Sequence, residues 1–149
     1  MQFQLTANPG TPPLPLTRVA SGGELARSML ALRLVLTEAP DTLVFDEVDA
    51  GVGGEAATAV GRSLAALGAR HQVLVVTHLP QVAAFADAQV LVAKHVEQDR
   101  TSTTATHLKK KQRVVEVARM LSGSPDSPTA RQHAEELLVS SRRLDQRPA

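Results

Sequence analysis

The sequence contains no cysteine, tryptophan or tyrosine, and only three of its 149 residues are phenylalanine. The absence of cysteine excludes disulfide bonds and thiolate metal sites. With so few aromatic rings, stacking on bases is a poor basis for any contact with nucleic acid. No segment approaches the roughly 20 apolar residues of a transmembrane helix, and the start lacks a secretory pattern. These absences favour a protein of a reducing compartment, such as the cytoplasm, that has no membrane segment.

The charge is balanced overall but unevenly distributed along the chain. The net charge is +1, and hydrophobic residues make up 43% of the sequence, as in globular proteins. Residues 1–108 carry 7 Lys and Arg against 10 Asp and Glu, whereas residues 109–149 carry 9 against 5. The basic segment Lys109–Arg113 therefore has two interpretations, the solvated start of a helix or a contact with DNA phosphates.

The most informative stretch begins with the apolar run Leu43–Phe45, which predicts a short strand buried on both faces. Asp46 and Glu47 follow it directly, and Asp49 precedes a glycine-rich segment. Open α/β sheets place their ligands at the carboxyl ends of strands. Because successive strand side chains point to opposite faces, Asp46 and Glu47 can serve different partners, such as a metal ion and a water. An acidic turn leaving the core is the alternative interpretation.

The strongest predicted helix begins at Ser21 and ends before Pro40. Ser21 and Glu24 have the spacing of a capping box, and the apolar residues that follow predict a helix buried on most sides. Gly22 and Gly23 lower the helix propensity and leave the first turn without side chains. The backbone amides at this positive helix end favour a bound anion, and phosphate is the expected one.

The rest of the chain alternates between predicted helices and strands. Helices are predicted over 55–67, 80–87, 110–121 and 128–142, and strands over 73–77 and 90–93, with 101–106 as a hairpin partner. This alternation predicts an α/β fold with a mainly parallel sheet flanked by helices. His78 ends the strand over 73–77, so such a sheet would bring His78 to the same edge as Asp46 and Glu47.

Three segments follow one another along the chain, Val19–Leu25, Asp46–Glu47 and Val76–His78. In this order they resemble the signature, Walker B and switch motifs of the nucleotide-binding heads of ABC-type ATPases, specifically the SMC-like branch and its RecN family of bacterial DNA repair proteins. The resemblance extends from about Phe3 to Leu138. It implies the C-terminal lobe of a P-loop (ABC/SMC-type) ATPase head, with ATP hydrolysis by the full-length protein and a role in DNA double-strand-break repair and recombination.

The phosphate-binding sequence Gly-x-x-x-x-Gly-Lys-Ser/Thr does not occur in the chain. In SMC-like proteins it belongs to an N-terminal lobe, beyond a long coiled coil. The resemblance thus implies that residues 1–149 form a single C-terminal lobe, with a lead-in (1–20), a core (21–108) and a helical tail (109–149). It implies ATP and Mg²⁺ as cofactors. The implied partners are the N-terminal lobe of the same protein, a second head in a homodimer, and DNA. The implied location is the cytoplasm, in association with the nucleoid and not with a membrane.

The resemblance also assigns roles to individual residues. Asp46 would help to hold Mg²⁺ through a water, Glu47 would orient and polarise the attacking water, and His78 would contact the γ-phosphate. Ser21, Gly22 and Gly23 are implied to cap the γ-phosphate of the nucleotide held by the other head. Asp49 is implied to lie in the D-loop at the dimer interface. The fragment alone is expected to be inactive, because it lacks the phosphate-binding loop.

Two other functions remain open on the sequence. A stand-alone metal-dependent hydrolase would use Asp46, Glu47, Asp49 and His78, but it needs a fuller set of ligands, and no His-x-x-x-His spacing occurs. An architectural module that tethers DNA would have a degenerate ATP site, and the intact motifs argue against that degeneracy.

Overall fold

The computed structural model describes residues 4–6, 10–15, 21–35, 40–97 and 100–145. Of the predicted features, Phe3, Val19, Ala20 and the turn near Asp99 lie outside these ranges. The chain divides into two compact units, residues 1–77 and 78–149. The organisation as one functional lobe, with divisions after residues 20 and 108, stays a prediction.

The first unit contains two short antiparallel strands followed by an alternation of helices and strands. Strand β1 pairs with β2 even though β2 contains Pro15, because a two-residue edge pairing tolerates a residue without an N–H. The elements are β1 (Gln4–Leu5), β2 (Leu14–Pro15), α1 (Gly22–Val35), β3 (Thr42–Phe45), α2 (Gly54–Gly68) and β4 (Gln72–Val75).

Strands β3 and β4 form a parallel pair that α2 connects, as a parallel crossover requires. The pair runs in register from Thr42 opposite Gln72 to Phe45 opposite Val75. The N–H of Val76 then donates to the carbonyl of Phe45 at 2.9 Å. Both strands therefore end level, and the segments that follow them leave from the same edge.

In the first unit, the apolar side chains on only one face of the β3–β4 pair are buried. Leu43 and Phe45 are buried in the core, together with the α2 residues Ala57, Val60, Leu64 and Leu67. Val44 is 67% exposed and its neighbour Leu74 is 51% exposed. The expectation of a strand buried on both faces is therefore wrong for this chain, because a helix covers only one face of a two-stranded pair.

Helix α1 is also less buried than its sequence predicts. Gly23 and Leu30 are its buried residues, whereas Leu25 and Met29 are exposed. The expectation that this helix is buried on most sides is wrong for the chain, since its apolar surface extends beyond the face that contacts α2. The start predicted at Ser21 is confirmed.

The second unit contains a β-hairpin and three helices. Its core consists of Ala84, Val117, Ala118, Ala130, Ala134 and Leu138. The elements are α3 (Pro80–Ala83), β5 (Val90–Glu97), β6 (Arg100–His107), α4 (Lys110–Ser122) and α5 (Pro128–Asp145).

Helix α3 is shorter than predicted, since it ends at Ala83 rather than near Asp87. The carbonyls of Ala83 and Ala84 accept hydrogen bonds from the side chain of Arg113, and the N–H of Ala86 donates to the carbonyl of Ala83 at 3.2 Å in a turn. Arg113 is itself buried. The interpretation of the whole segment Lys109–Arg113 as a solvated or DNA-contacting surface is therefore wrong for Arg113, although its three lysines are exposed.

The predicted hairpin is confirmed, with strands longer than the sequence indicated. Val90 pairs with His107 and the register continues to Glu97 opposite Arg100. The α/β class with a parallel pair flanked by helices is confirmed as well, and the other described strand pairs are antiparallel. None of the described helices is both long enough and apolar enough to cross a membrane.

Candidate functional site

The first turn of α1 is closed by the predicted capping box. The N–H of Ser21 donates to Glu24 Oε2 at 2.9 Å, and the N–H of Glu24 donates back to Ser21 Oγ at 3.4 Å. The hydroxyl of Ser21 also donates to Glu24 Oε2 at 3.1 Å. These bonds, the backbone one foremost, lower the pKa of Glu24. The capping interaction is therefore complete above the ordinary pKa of glutamate and is lost as the pH falls through the lowered value.

The capping box leaves the two glycine amides as the donors of this helix end. The first N–H groups of a helix have no intrahelical acceptor, and those of Ser21 and Glu24 are satisfied by each other's side chains. The amides of Gly22 and Gly23 have no acceptor among the described residues. Ser21 and Gly22 are exposed. The arrangement is thus compatible with the predicted anion contact, which stays a prediction.

Gly23 has a second reason to lack a side chain. It is buried, and a Cβ atom at this position would lie 2.8 Å from the carbonyl oxygen of Ala50 and 3.0 Å from Ala50 Cβ. The first turn of α1 therefore packs directly on the loop after β3. An approaching phosphate is therefore not needed to explain Gly23, because close packing within the chain already requires glycine at this position.

Substitution of Gly23 by alanine is expected to lower the free energy of unfolding by about 1–3 kcal/mol, the typical cost of overpacking. The backbone carbonyl of Ala50 cannot move away as a flexible side chain would. Chemical denaturation of the chain measures the change. Gly68→Ala is the matched control, because a Cβ at Gly68 meets nothing within 4 Å. Equal stability of the two variants would contradict this packing.

Arg27 holds the same loop from the next turn of α1. Its Nη1 atom donates to the carbonyl of Ala50 at 2.8 Å and to that of Val48 at 3.3 Å. Sequence reasoning missed this residue. The available signal was its position four residues after Gly23, which places both on one face of the helix. Arg27 therefore ties α1 to the loop that carries the acidic residues.

Glu47 has an unusual backbone conformation. Its φ is +57°, and no other described residue except glycine has a positive φ. This left-handed conformation costs a non-glycine residue about 1–3 kcal/mol, and such residues cluster at active sites. The N–H of Ala50 donates to the carbonyl of Glu47 at 3.0 Å, which closes the turn. The turn leaves the side chains of Asp46 and Glu47 exposed.

The carboxylate of Glu47 lies beside the start of α1. A Cβ atom built on Gly22 would be 3.0 Å from Glu47 Oε2. The positive end of the helix favours a carboxylate here. The structure therefore brings together the signature segment and the acidic segment that sequence reasoning identified separately.

Asp49 is turned inward. It is 1% exposed, and its carboxylate accepts a hydrogen bond from the hydroxyl of Thr77. This bond joins the loops that follow β3 and β4, which are 28 residues apart in sequence. No local pattern in the sequence indicates this structural role of Thr77. The predicted contact of Asp49 at a dimer interface stays a prediction.

His78 is exposed and is the first residue of the second unit. Its role as a γ-phosphate contact stays a prediction. Within the described ranges, no group of three or more His, Asp or Glu side chains could hold a metal ion by itself. The exposed carboxylate of Asp46 nevertheless fits Mg²⁺, which commonly takes one or two protein carboxylates together with waters and nucleotide phosphates.

The chain is similar to proteins named DNA repair protein RecN over almost its whole length. It is 52% identical to the one from Streptomyces coelicolor, over 95% of this chain and 25% of that protein. It is 49% identical to the Treponema pallidum protein, over 93% and 24%, and 44% identical to the Vibrio cholerae protein, over 93% and 25%. The chain thus spans about a quarter of these curated relatives, a C-terminal portion. The resemblance predicted from the motifs is confirmed.

No family model matches the chain. Among solved structures, the chain is similar to one from a study of ATP-driven dimerization and DNA-stimulated activation of SMC ATPases. The TM-score is 0.49 and the sequence identity is 17%. The similarity covers 74% of this chain and 68% of that one.

Proposed function

Because nearly the whole chain matches a C-terminal portion of RecN proteins, we propose that it is the C-terminal ATPase lobe of a RecN-like protein that acts in DNA double-strand-break repair and recombination. One observation supports this function above the others. The first turn of α1, which carries Ser21 and Gly22, lies directly against the loop that carries Glu47. Both segments thus present exposed polar groups from neighbouring parts of the first unit, Glu47 toward the nucleotide of this head and Ser21 and Gly22 toward that of a second head.

An N-terminal lobe of the same protein would complete the ATP site. That lobe would carry the phosphate-binding loop that this chain lacks. The exposed apolar face of the β3–β4 pair, with Val44, Leu74 and Val76 exposed, supports this proposal. Parallel sheets are normally covered on both faces. We expect further strands or helices of the N-terminal lobe to cover this face.

Within the completed head, the residues after β3 would divide the chemistry between them. Asp46 would hold Mg²⁺ through a water, and the ion would neutralise charge on the phosphate oxygens. Glu47 would orient the attacking water and accept its proton, and the left-handed backbone fixes where its side chain starts. His78 would donate a hydrogen bond to the γ-phosphate.

The signature segment would serve the nucleotide of a second head. Ser21 would exchange the carboxylate of Glu24 for a γ-phosphate oxygen as the acceptor of its hydroxyl proton. The amides of Gly22 and Gly23 would donate to the same phosphate. Asp49 and Arg27 would keep the intervening loop in place from inside the fold. ATP would thereby join two heads, and its hydrolysis would release them. This cycle would change how the protein holds DNA at the nucleoid in the cytoplasm.

The experiment is a comparison of ATP hydrolysis by the full-length protein and by this chain alone. We expect Mg²⁺-dependent turnover by the full-length protein and none by the chain, because phosphoryl transfer depends on positioning that the phosphate-binding loop supplies. Hydrolysis by the isolated chain would instead favour the stand-alone metal hydrolase. A full-length protein that binds DNA but never hydrolyses ATP would favour the architectural module.

A further inference from the structure

The second unit contains a cavity of about 270 Å³ whose lining is charged. The segment after α3 contributes Asp87, helix α4 contributes Arg113, and helix α5 contributes Ser141 and Arg142. Arg113 and Ser141 are buried, whereas Asp87 and Arg142 are exposed. The cavity therefore has a buried guanidinium and an exposed one, supplied by two different helices.

Arg113 is a buried cation whose neutral partners do not balance its charge. It is 6% exposed, and its Nη2 atom donates to the carbonyls of Ala83 at 2.9 Å and Ala84 at 3.2 Å. Its Nε atom is buried and has no acceptor in the part of the chain that the structure describes. A buried charge normally needs an opposite charge and a complete set of hydrogen bonds. Arg113 has neither.

The charge around the cavity is positive on balance. Burial lowers the pKa of Arg113 first, and the charge of Arg142 lowers it further, while Asp87 acts in the opposite direction. Among the described residues, no carboxylate forms an ion pair with Arg113 or Arg142. One carboxylate thus faces two guanidinium groups without contacting either.

A purely structural role explains only part of this arrangement. Arg113 satisfies the carbonyls at the end of α3, and the hydroxyl of Ser141 donates to the carbonyl of Ala84 at 2.9 Å. These bonds do not account for Arg142, for the missing counter-ion of Arg113 or for the open volume that both arginines line. Each of these features is what an anion site provides.

We propose that this cavity binds a tetrahedral oxyanion of the phosphate type, held by the guanidinium groups of Arg113 and Arg142. Guanidinium forks match phosphate oxygens, and charge-assisted bonds of this kind are strong. Two forks from different helices suit a tetrahedral group better than a planar carboxylate, which one arginine satisfies alone. The site is independent of the proposed ATP site, with which it shares no residue.

The test is a titration of the chain with inorganic phosphate at constant ionic strength, followed by ¹⁵N NMR. We expect saturable shifts of the backbone amides of Arg113, Ser141 and Arg142. Shifts confined to Gly22 and Gly23 would instead report the signature segment and would overturn this proposal without affecting the proposed function. Acetate is the second probe, and acetate binding as tight as phosphate binding would overturn the assignment to a tetrahedral anion.

Variants of the exposed residues sharpen the test, because they leave the core intact. Arg142→Gln should weaken phosphate binding about tenfold, the loss of one charge-assisted hydrogen bond. Asp87→Asn should strengthen binding by roughly 2–5-fold, since it removes a nearby like charge. Arg62→Gln, an equal change of charge on the exposed side of α2, should leave binding unchanged. Binding that is insensitive to position 142, or equally sensitive to position 62, would overturn the proposal.

Discussion

Glu47→Gln in the full-length protein is expected to slow ATP hydrolysis by about 10²–10⁴-fold, the usual contribution of a general base. The amide keeps the size of the side chain but cannot accept the proton of the attacking water. Binding of ATP should be retained, because the phosphate contacts are made by other groups. Single-turnover hydrolysis and equilibrium binding of ATP, measured on the same preparation, separate these two effects.

Glu55→Gln is the matched control for this substitution. Glu55 is an exposed glutamate in the first turn of α2, in the same unit as Glu47. The same chemical change there should leave hydrolysis within about twofold of the unsubstituted protein, because surface changes away from a site have small effects. Normal turnover by Glu47→Gln would remove Glu47 from the role of base.

Ser21→Arg should weaken the ATP-dependent association of two heads. A long side chain at this exposed helix start would occupy the space of the partner's phosphate, and overpacking of this kind costs about 1–3 kcal/mol. Such a cost corresponds to a weakening of association by about 5–150-fold. Sedimentation of the full-length protein with and without ATP measures this association, and ATP binding by a single head should persist.

Ser21→Ala distinguishes the added bulk from the loss of the cap. Alanine removes the hydroxyl that accepts the N–H of Glu24, which costs about 0.5–2 kcal/mol of helix stability. It adds nothing at the surface of the helix end, so association should weaken far less than in Ser21→Arg. If the Ser21→Arg variant formed ATP-dependent dimers at the same protein concentration as the unsubstituted protein, this surface would not face a second nucleotide.

Local patterns in the sequence predicted the elements of this fold well. The capping box at Ser21 and Glu24 fixed the start of α1, and the alternation of strand and helix gave the parallel pair β3–β4. Burial was predicted less well. An apolar run such as Leu43–Phe45 predicts a strand covered on both faces, but in this chain only one face of the strand is covered and Val44 is exposed.

The contacts that shape the candidate site were not predictable from local patterns. Arg27 reaches the carbonyl of Ala50, 23 residues away, and Thr77 reaches Asp49, 28 residues away. Each bond depends on how the helix and strands pack, which residue spacing does not encode. The motif residues were found because their chemistry is unusual, whereas the residues that hold them in place are ordinary arginine and threonine.

In the proposed role of Glu47 as the base, its left-handed backbone would set chemistry against folding stability at a single position. Glycine adopts this conformation without a steric penalty, so a Glu47→Gly change would relieve the chain while removing its carboxylate. Selection for stability alone would therefore favour glycine over glutamate at this position. Under the proposed function, glutamate at this turn would trade stability for activity, a compromise that natural enzymes commonly make.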